Sequence, residues 1–214
     1  MIDSKIIKTN KIYIPNVSRE TLEELGEYSQ SILSTNKKIN LISSTTEKSI
    51  NTRHIYDSAQ TIEFIDKNDI NVCTDLGSGA GLPSIVLGIL MKSKKQGFKL
   101  IFYEKSYHKS NFLMEMAKKF KLDAKIYQKN IFEEKNLVTD VIICRAFKPL
   151  PVIFDIATKN FKNFKYIVVY LGKSGNKILK DVSMKWKFDL EEMKSLTSEV
   201  SSVVKISNLK KKHE

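Results

Sequence analysis

The sequence predicts an α/β fold: a mostly parallel sheet covered by helices, closed by an antiparallel hairpin. Three observations predict it. Short apolar runs alternate with helix-patterned stretches from residue 72 onward. The first of these runs, 72–76, leads straight into a glycine-rich turn. The last two, 186–190 and 200–206, follow one another without a helix and read as an antiparallel pair.

Element by element, residues 1–70 read as a helical cap. Ser18 is a natural N-cap with acidic residues in the turns after it, and Leu22, Leu25, Ile32 and Leu33 recur at helical spacing. Residues 36–40 break that helix. The polar cluster 43–46 can cap another, and Ile50, Ile55, Ala59, Ile62 and Ile65 fit one or two more. Residues 67–71 form a turn-rich link. The second unit, 71–214, takes strands at 72–76, 99–103, 124–127, 140–144 and 166–171. Helices fall at 85–91, 108–121 and 152–161, and Lys210, Lys211 and Lys212 read as a frayed basic end. A terminal hairpin added to such a sheet is the arrangement of class I methyltransferases, a Rossmann-like fold whose ligands bind at the carboxyl ends of the strands.

Composition narrows the class. Hydrophobic residues make up 42% and charged residues 28%, enough apolar content for a core and too much for a disordered chain. No apolar run approaches membrane-spanning length, and the opening MIDSKIIKTNK lacks the apolar core of a secretion signal. Two cysteines without ligand spacing argue against a disulfide framework and a cysteine zinc site, so no metal and a cytoplasmic location are expected. The net charge of +12 is uneven: residues 1–70 carry −1 and residues 71–214 carry +13. A basic face attracts nucleic acid, although lysine-rich compositional drift would also raise the charge. Lys92, Lys94, Lys95, Lys109, Lys118, Lys119 and Lys121 are candidates to track phosphate. Only three of the 36 basic residues are arginine, Arg19, Arg53 and Arg145. Where lysine serves almost everywhere, a retained arginine suggests need of the planar, two-pronged guanidinium.

The turn reads Asp75-Leu76-Gly77-Ser78-Gly79-Ala80-Gly81-Leu82-Pro83. Gly77, Gly79 and Gly81 allow a sharp turn and close approach of a ligand. A dinucleotide fingerprint would place its third glycine where Leu82 stands. Asp75 suits the cationic amino-acid end of S-adenosylmethionine better than a pyrophosphate. Glu104, ending the second strand, can accept hydrogen bonds from both ribose hydroxyls. S-adenosylmethionine is therefore favoured over NAD.

Several separated motifs then align with one family. Asn40-Leu41 followed by Arg53-His54-Ile55-Tyr56-Asp57-Ser58, the turn from Asp75 to Pro83, Lys109-Ser110-Asn111-Phe112-Leu113, and Cys144-Arg145-Ala146-Phe147 occur in order. Together they resemble the glucose-inhibited division protein B family, the bacterial small-subunit rRNA guanine-N7 methyltransferases (RsmG). The resemblance implies methylation of a 16S rRNA guanine at N7, family position 527. The 30S subunit or its assembly intermediate is the expected partner, and a monomer is expected. The resemblance also implies cofactor contacts at Gly77, Leu82, Ile131, Phe132 and Arg145.

The chemistry suits the residues. Guanine N7 holds a free lone pair, so in-line methyl transfer needs alignment rather than a general base. The sequence lacks the D/N-P-P-Y/F clamp of amine methylation, and Cys144, at the end of a buried-type strand, reads as structural. Arg145 is expected to position the reaction by bonding the cofactor or guanine O6; the plainer alternative is an ion pair with Asp75 or Glu104. Arg53 and Asp57, four apart, read as an intrahelical pair or as the face that docks the cap over the pocket, with His54 beside it on the substrate side. Phe147 is the best candidate to stack a base, ahead of Phe112 and Tyr107. The competing functions are methylation of another substrate and a non-catalytic RNA-binding assembly factor.

Overall fold

The computed structural model describes Ile14 and residues 17–212. The remainder of the expected cap, residues 1–13, 15 and 16, lies outside the described residues, as do His213 and Glu214.

Helix α1 (Arg19–Asn36) starts at Ser18, whose side chain accepts from the Thr21 amide, and it buries Leu25, Tyr28 and Ile32. A 3-10 turn (Ser44–Ser49) and a π-helical turn (Asn51–Tyr56) lead into the short helices α2 (Asp57–Ala59) and α3 (Ile62–Ile65). Then come β1 (Val72–Leu76), α4 (Ser84–Lys92), β2 (Lys99–Tyr103), α5 (Tyr107–Lys119) and β3 (Ala124–Tyr127). A 3-10 turn (Ile131–Glu133), β4 (Leu137–Val138), β5 (Val141–Cys144), α6 (Leu150–Asn160) and β6 (Phe161–Asn163) follow. The last elements are β7 (Tyr166–Leu171), α7 (Gly175–Ser183), β8 (Trp186–Lys194) and β9 (Ser202–Lys211).

The main sheet runs β3-β2-β1-β5-β7-β9-β8. Its first five strands are parallel, and β9 lies antiparallel between β7 and β8. Sequences such as VIIC in β5 and YIVVYL in β7 suit this position, because both faces of a parallel sheet are covered. Alternate side chains feed two cores. Ile143 and Val168 join Leu25, Ile85 and Leu113 on the side of α1, α4 and α5. Ile142, Ile167 and Val204 join Ile153 and Val182 on the side of α6 and α7. The first core passes without a break from α1 and Ile55 into the sheet, so the N-terminal helices share their apolar interior with the strands.

Two sequence expectations change. Lys210 and Lys211 are not frayed: they belong to β9, opposite Lys187 and Trp186, and the Lys212 amide bonds the Lys185 carbonyl. The pairing supplies the order that charge composition alone concealed. Several expected phosphate-tracking lysines instead fasten the fold. Lys92 pairs with Glu24 of α1, Lys119 with Glu27, and Lys94 with Asp66. The Lys95 ammonium donates to the carbonyls of Lys67, Asn68 and Ile70. Lys109, Lys118 and Lys121 form no such pair among the described residues.

Candidate active site

Four strand ends converge on the glycine turn. The Gly77 amide donates to the Tyr103 carbonyl at 2.9 Å, tying the turn after β1 to the end of β2. Glu104, the residue after β2, is nearly buried, and its two carboxylate oxygens accept from the amides of Gly79 (2.9 Å) and Ser106 (2.8 Å). Each oxygen retains a further lone pair for a hydroxyl. From the end of β3, Asn130 caps the turn that carries Ile131 and Phe132; Ile131 is buried and Phe132 is 45% exposed. From the end of β5, Phe147 brings its ring centroid within 6.5 Å of that of Phe132.

The three glycines are required for different reasons. All have positive φ, the left-handed region that costs other residues strain. A Cβ on Gly77 would stand 2.1 Å from Phe147 Cδ2, so its open side is taken by the protein's own aromatic ring. A Cβ on Gly81 would stand 2.5 Å from Ile85 and 2.8 Å from Leu113, making Gly81 a packing glycine. Only at Gly79 is the Cβ side free, with nothing nearer than a backbone oxygen at 3.9 Å. Leu82 is buried, which leaves its main chain as the part suited to a ligand. The Tyr28 hydroxyl donates to the Ala80 carbonyl at 2.6 Å and so binds α1 to the turn. Gly81→Ala combines a forbidden contact with left-handed strain. It is expected to cost about 3 kcal/mol, read as a lower urea midpoint; an unchanged midpoint would contradict the packing role.

Asp75 is 1% exposed and its Oδ2 has no hydrogen-bond partner. Burial pushes its carboxyl up to about 7, with the Ser84 and Ser78 hydroxyls opposing and Glu104 adding to the rise. An orphaned acid behind a glycine turn fits an incoming cation, and the acceptors of Glu104 fit a ribose. These residues fit S-adenosylmethionine. Phe112 is buried in the core and cannot stack a base, whereas Tyr107 is 60% exposed. Burial also raises the Cys144 thiol far above its ordinary range, so it is no nucleophile.

Arg145 departs most from expectation. Its ion-pair partner is neither Asp75 nor Glu104. Nη2 lies 3.0 Å from Asp57 Oδ2 and donates to the Arg53 carbonyl at 2.6 Å, while the guanidinium stands 5.1 Å from the Tyr170 ring centroid. Nη1 is buried without a partner. The next residue, Ala146, has φ +51. Asp57 is thus taken from Arg53, whose side chain is exposed. The cause is local: the chain at 51–56 is π-helical, and the Asp57 amide bonds the Thr52 carbonyl five residues back. The four-residue rule for neighbouring helix side chains fails in such a turn.

His54 contacts Thr46 Oγ1 at 2.8 Å through Nε2. That hydroxyl already donates to the Ser43 carbonyl, so Nε2 carries the proton and Nδ1 is an unpartnered acceptor. Burial first, then the charges of Arg145 and Arg53, lower the imidazole to about 4 and keep it neutral. Sequence reasoning missed Tyr170, Ser195 and Thr197. Ser195 and Thr197 bond Asp57 from the connection between β8 and β9. No local pattern marks them, because their contacts are made entirely through the fold.

The sheet order, the glycine turn after β1 and the acid ending β2 define a class I S-adenosylmethionine-dependent methyltransferase. Solved structures share the fold. One is a SAM-dependent methyltransferase from Aquifex aeolicus (TM-score 0.55, 12% identity, 77% of this chain and 98% of that one). Another is the 16S rRNA methylase RmtB (TM-score 0.53, 10% identity, 86% and 74%). The chain belongs to the GidB family, described as rRNA small subunit methyltransferase G, whose family model matches residues 21–206. A relative named Ribosomal RNA small subunit methyltransferase G, from Pelagibacter ubique strain HTCC1062, is 46% identical over 200 residues, covering 92% of this chain and 93% of its own. One of the same name from Bartonella henselae is 34% identical over 211 residues, covering 98% and 96%.

Proposed function

We propose that this rRNA methyltransferase methylates N7 of a guanine in 16S rRNA, the family's position 527, by direct in-line transfer. The observation that carries the reading is the lack of a free proton acceptor at the end of β5 among the described residues. That end presents a paired arginine, a half-buried phenylalanine and a buried thiol. His54 Nδ1 is buried, and Asp75 belongs to β1, at the seat proposed for the cofactor's ammonium and not at the end of β5. Guanine N7 needs no proton removed, whereas an exocyclic amine does.

When bound, S-adenosylmethionine supplies an electrophilic methyl group. Glu104 would hold its ribose, Asp75 its ammonium, and the main chain of Gly79, Leu82 and Ile131 its remaining polar edges. Phe132 and Phe147 form an aromatic wall beside that seat. Behind Phe147 a cavity of about 340 Å³ opens between the ends of β5 and β7, lined by Ala146, Pro149, Leu150 and Tyr170 among others. An unstacked purine fits this space with Phe147 against its face. The unpaired Lys109, on the first turn of α5, would meet phosphate. We further propose that the N-terminal helices up to residue 70 serve as a cap over this seat, with Arg53 and His54 on its RNA side. The protein would act as a cytoplasmic monomer on the 30S subunit or an assembly intermediate, without a metal.

The test is transfer of labelled methyl to naked 16S rRNA, 30S particles and protein, followed by borohydride–aniline cleavage, which cuts RNA at N7-methylguanine. Label at one cleavable guanine of 16S rRNA is expected. Label that resists cleavage, or appears in protein, would overturn the reading. S-adenosylhomocysteine at a hundredfold excess over its Kd should stabilise the fold by about 2.7 kcal/mol. NAD should not; the reverse would remove the cofactor assignment.

A further inference from the structure

Asp57 joins three distant segments. It is 6% exposed and comes from α2. Oδ2 takes Arg145, at the end of β5, at 3.0 Å. Oδ1 accepts from Gln60 Nε2 (2.6 Å), Ser195 Oγ (2.9 Å) and Thr197 Oγ1 (3.0 Å). Gln60 in turn accepts from the Leu196 amide at 3.1 Å. The carboxylate is therefore saturated on one oxygen by the connection between β8 and β9, and its other oxygen aims at the guanidinium. Tyr170 completes the grip: its ring lies under Arg145, and its hydroxyl contacts Thr61 Oγ1 and the Asp57 carbonyl. Within this clamp Nη2 is committed and Nη1 is buried without a hydrogen-bond partner, and the two residues that follow Arg145, Ala146 and Phe147, line the cavity together with Tyr170.

We propose that Asp57 is a positioning residue. It fixes Arg145 at the end of β5, and with it the chain at Ala146 and Phe147 that lines the proposed base cavity, and the connection at residues 195–197 locks Asp57 in place. The inference rests on the proposed methyl transfer at this site. It adds that the geometry of the reactive end of β5 is set from outside the sheet, by a carboxylate two chain segments hold. A carboxylate so bonded cannot swing, and an arginine stacked, paired and bonded to a carbonyl keeps one rotamer.

The experiment compares Asp57→Asn, Arg145→Gln and the double variant by single-turnover methylation of 16S rRNA. Binding of S-adenosylhomocysteine and thermal melts are measured alongside. Asp57→Asn is expected to slow transfer by about 30-fold or more while cofactor affinity changes by less than about threefold. The double variant should be no slower than Arg145→Gln alone, because the two act as one unit. Transfer within about threefold of wild type, or losses that multiply, would overturn the proposal. If Asp57→Asn gives no cooperative melt, Ser195→Ala with Thr197→Val frees Oδ1 while keeping the ion pair. About a fivefold slower transfer with unchanged cofactor binding is then expected, and an unchanged rate overturns it. A wild type that methylates no guanine would instead bring down the proposed function, leaving the clamp's effect on cofactor binding and melting to be read separately.

Discussion

Arg145→Lys is expected to lower the rate of methyl transfer by about 100-fold, although the charge is kept. The guanidinium does three things at once: its Nη2 meets Asp57 Oδ2, the same nitrogen donates to the Arg53 carbonyl, and its charge stands over the Tyr170 ring. A lysine ammonium is a compact point charge and cannot reproduce the contact over the ring together with both bonds. One acceptor would be left short of its partner in a half-closed site, costing about 1–2 kcal/mol of stability. The loss in rate exceeds that in stability because a shift of about 1 Å in an aligning group is felt fully in an in-line transfer. Single-turnover rates beside thermal melts separate the two effects. A lysine variant that transfers methyl within about threefold of wild type would show that the planar fork is not needed.

Asp75→Asn should split stability from function. A carboxyl raised to about 7 is protonated in the folded state and ionised in the unfolded chain between about pH 4 and 7. The fold therefore loses stability as pH rises through that window, by up to about 4 kcal/mol. His54 works in the opposite sense. Its imidazole is lowered to about 4 from the ordinary 6.5, so the unfolded state binds the extra proton and stability grows as pH rises between those values. That amounts to about 3 kcal/mol, so in the wild type the two slopes largely cancel. Asp75→Asn removes one of them. Its melting temperature should climb from pH 4 to 6.5 and exceed the wild type's at pH 8 by about 5 °C. Affinity for S-adenosylhomocysteine should fall by at least about tenfold, since the ammonium loses its counter-charge. Melting no higher than wild type at pH 8 would contradict the burial cost assigned to Asp75.

Much of the architecture is readable before any coordinates. The strands at 72–76, 99–103, 124–127 and 166–171 keep their expected bounds, because each apolar run is bracketed by polar or turn residues. Helix α7 is missed because it buries little besides Gly175 and Val182. Strands β4 and β6 are too short to show a period. β8 runs to Lys194, beyond its expected end, since an edge strand with mostly exposed side chains carries no apolar signature there. At the candidate site, that Gly79 and Glu104 meet beside the turn after β1 is legible from chemistry at fixed offsets. The roles of Gly77 and Gly81 are not, since what crowds them is Phe147 in one case and Ile85 with Leu113 in the other. That Asp57 reaches Arg145 and not Arg53 is not legible, because a π-helical turn looks like any helix when only letters are counted.

The placement of β9 bears on how the enzyme comes into being. It is made after every other strand described, yet it lies inside the sheet, with β7 on one side and β8 on the other. A nascent chain that has finished β8 still offers the bare edge of β7, an unpaired ladder flanked by Val168 and Val169, to whatever strand it meets. Completion of the sheet thus waits until β9 has left the ribosome, and messages cut short upstream of Ser202 are expected to yield a sticky fragment rather than a slow enzyme.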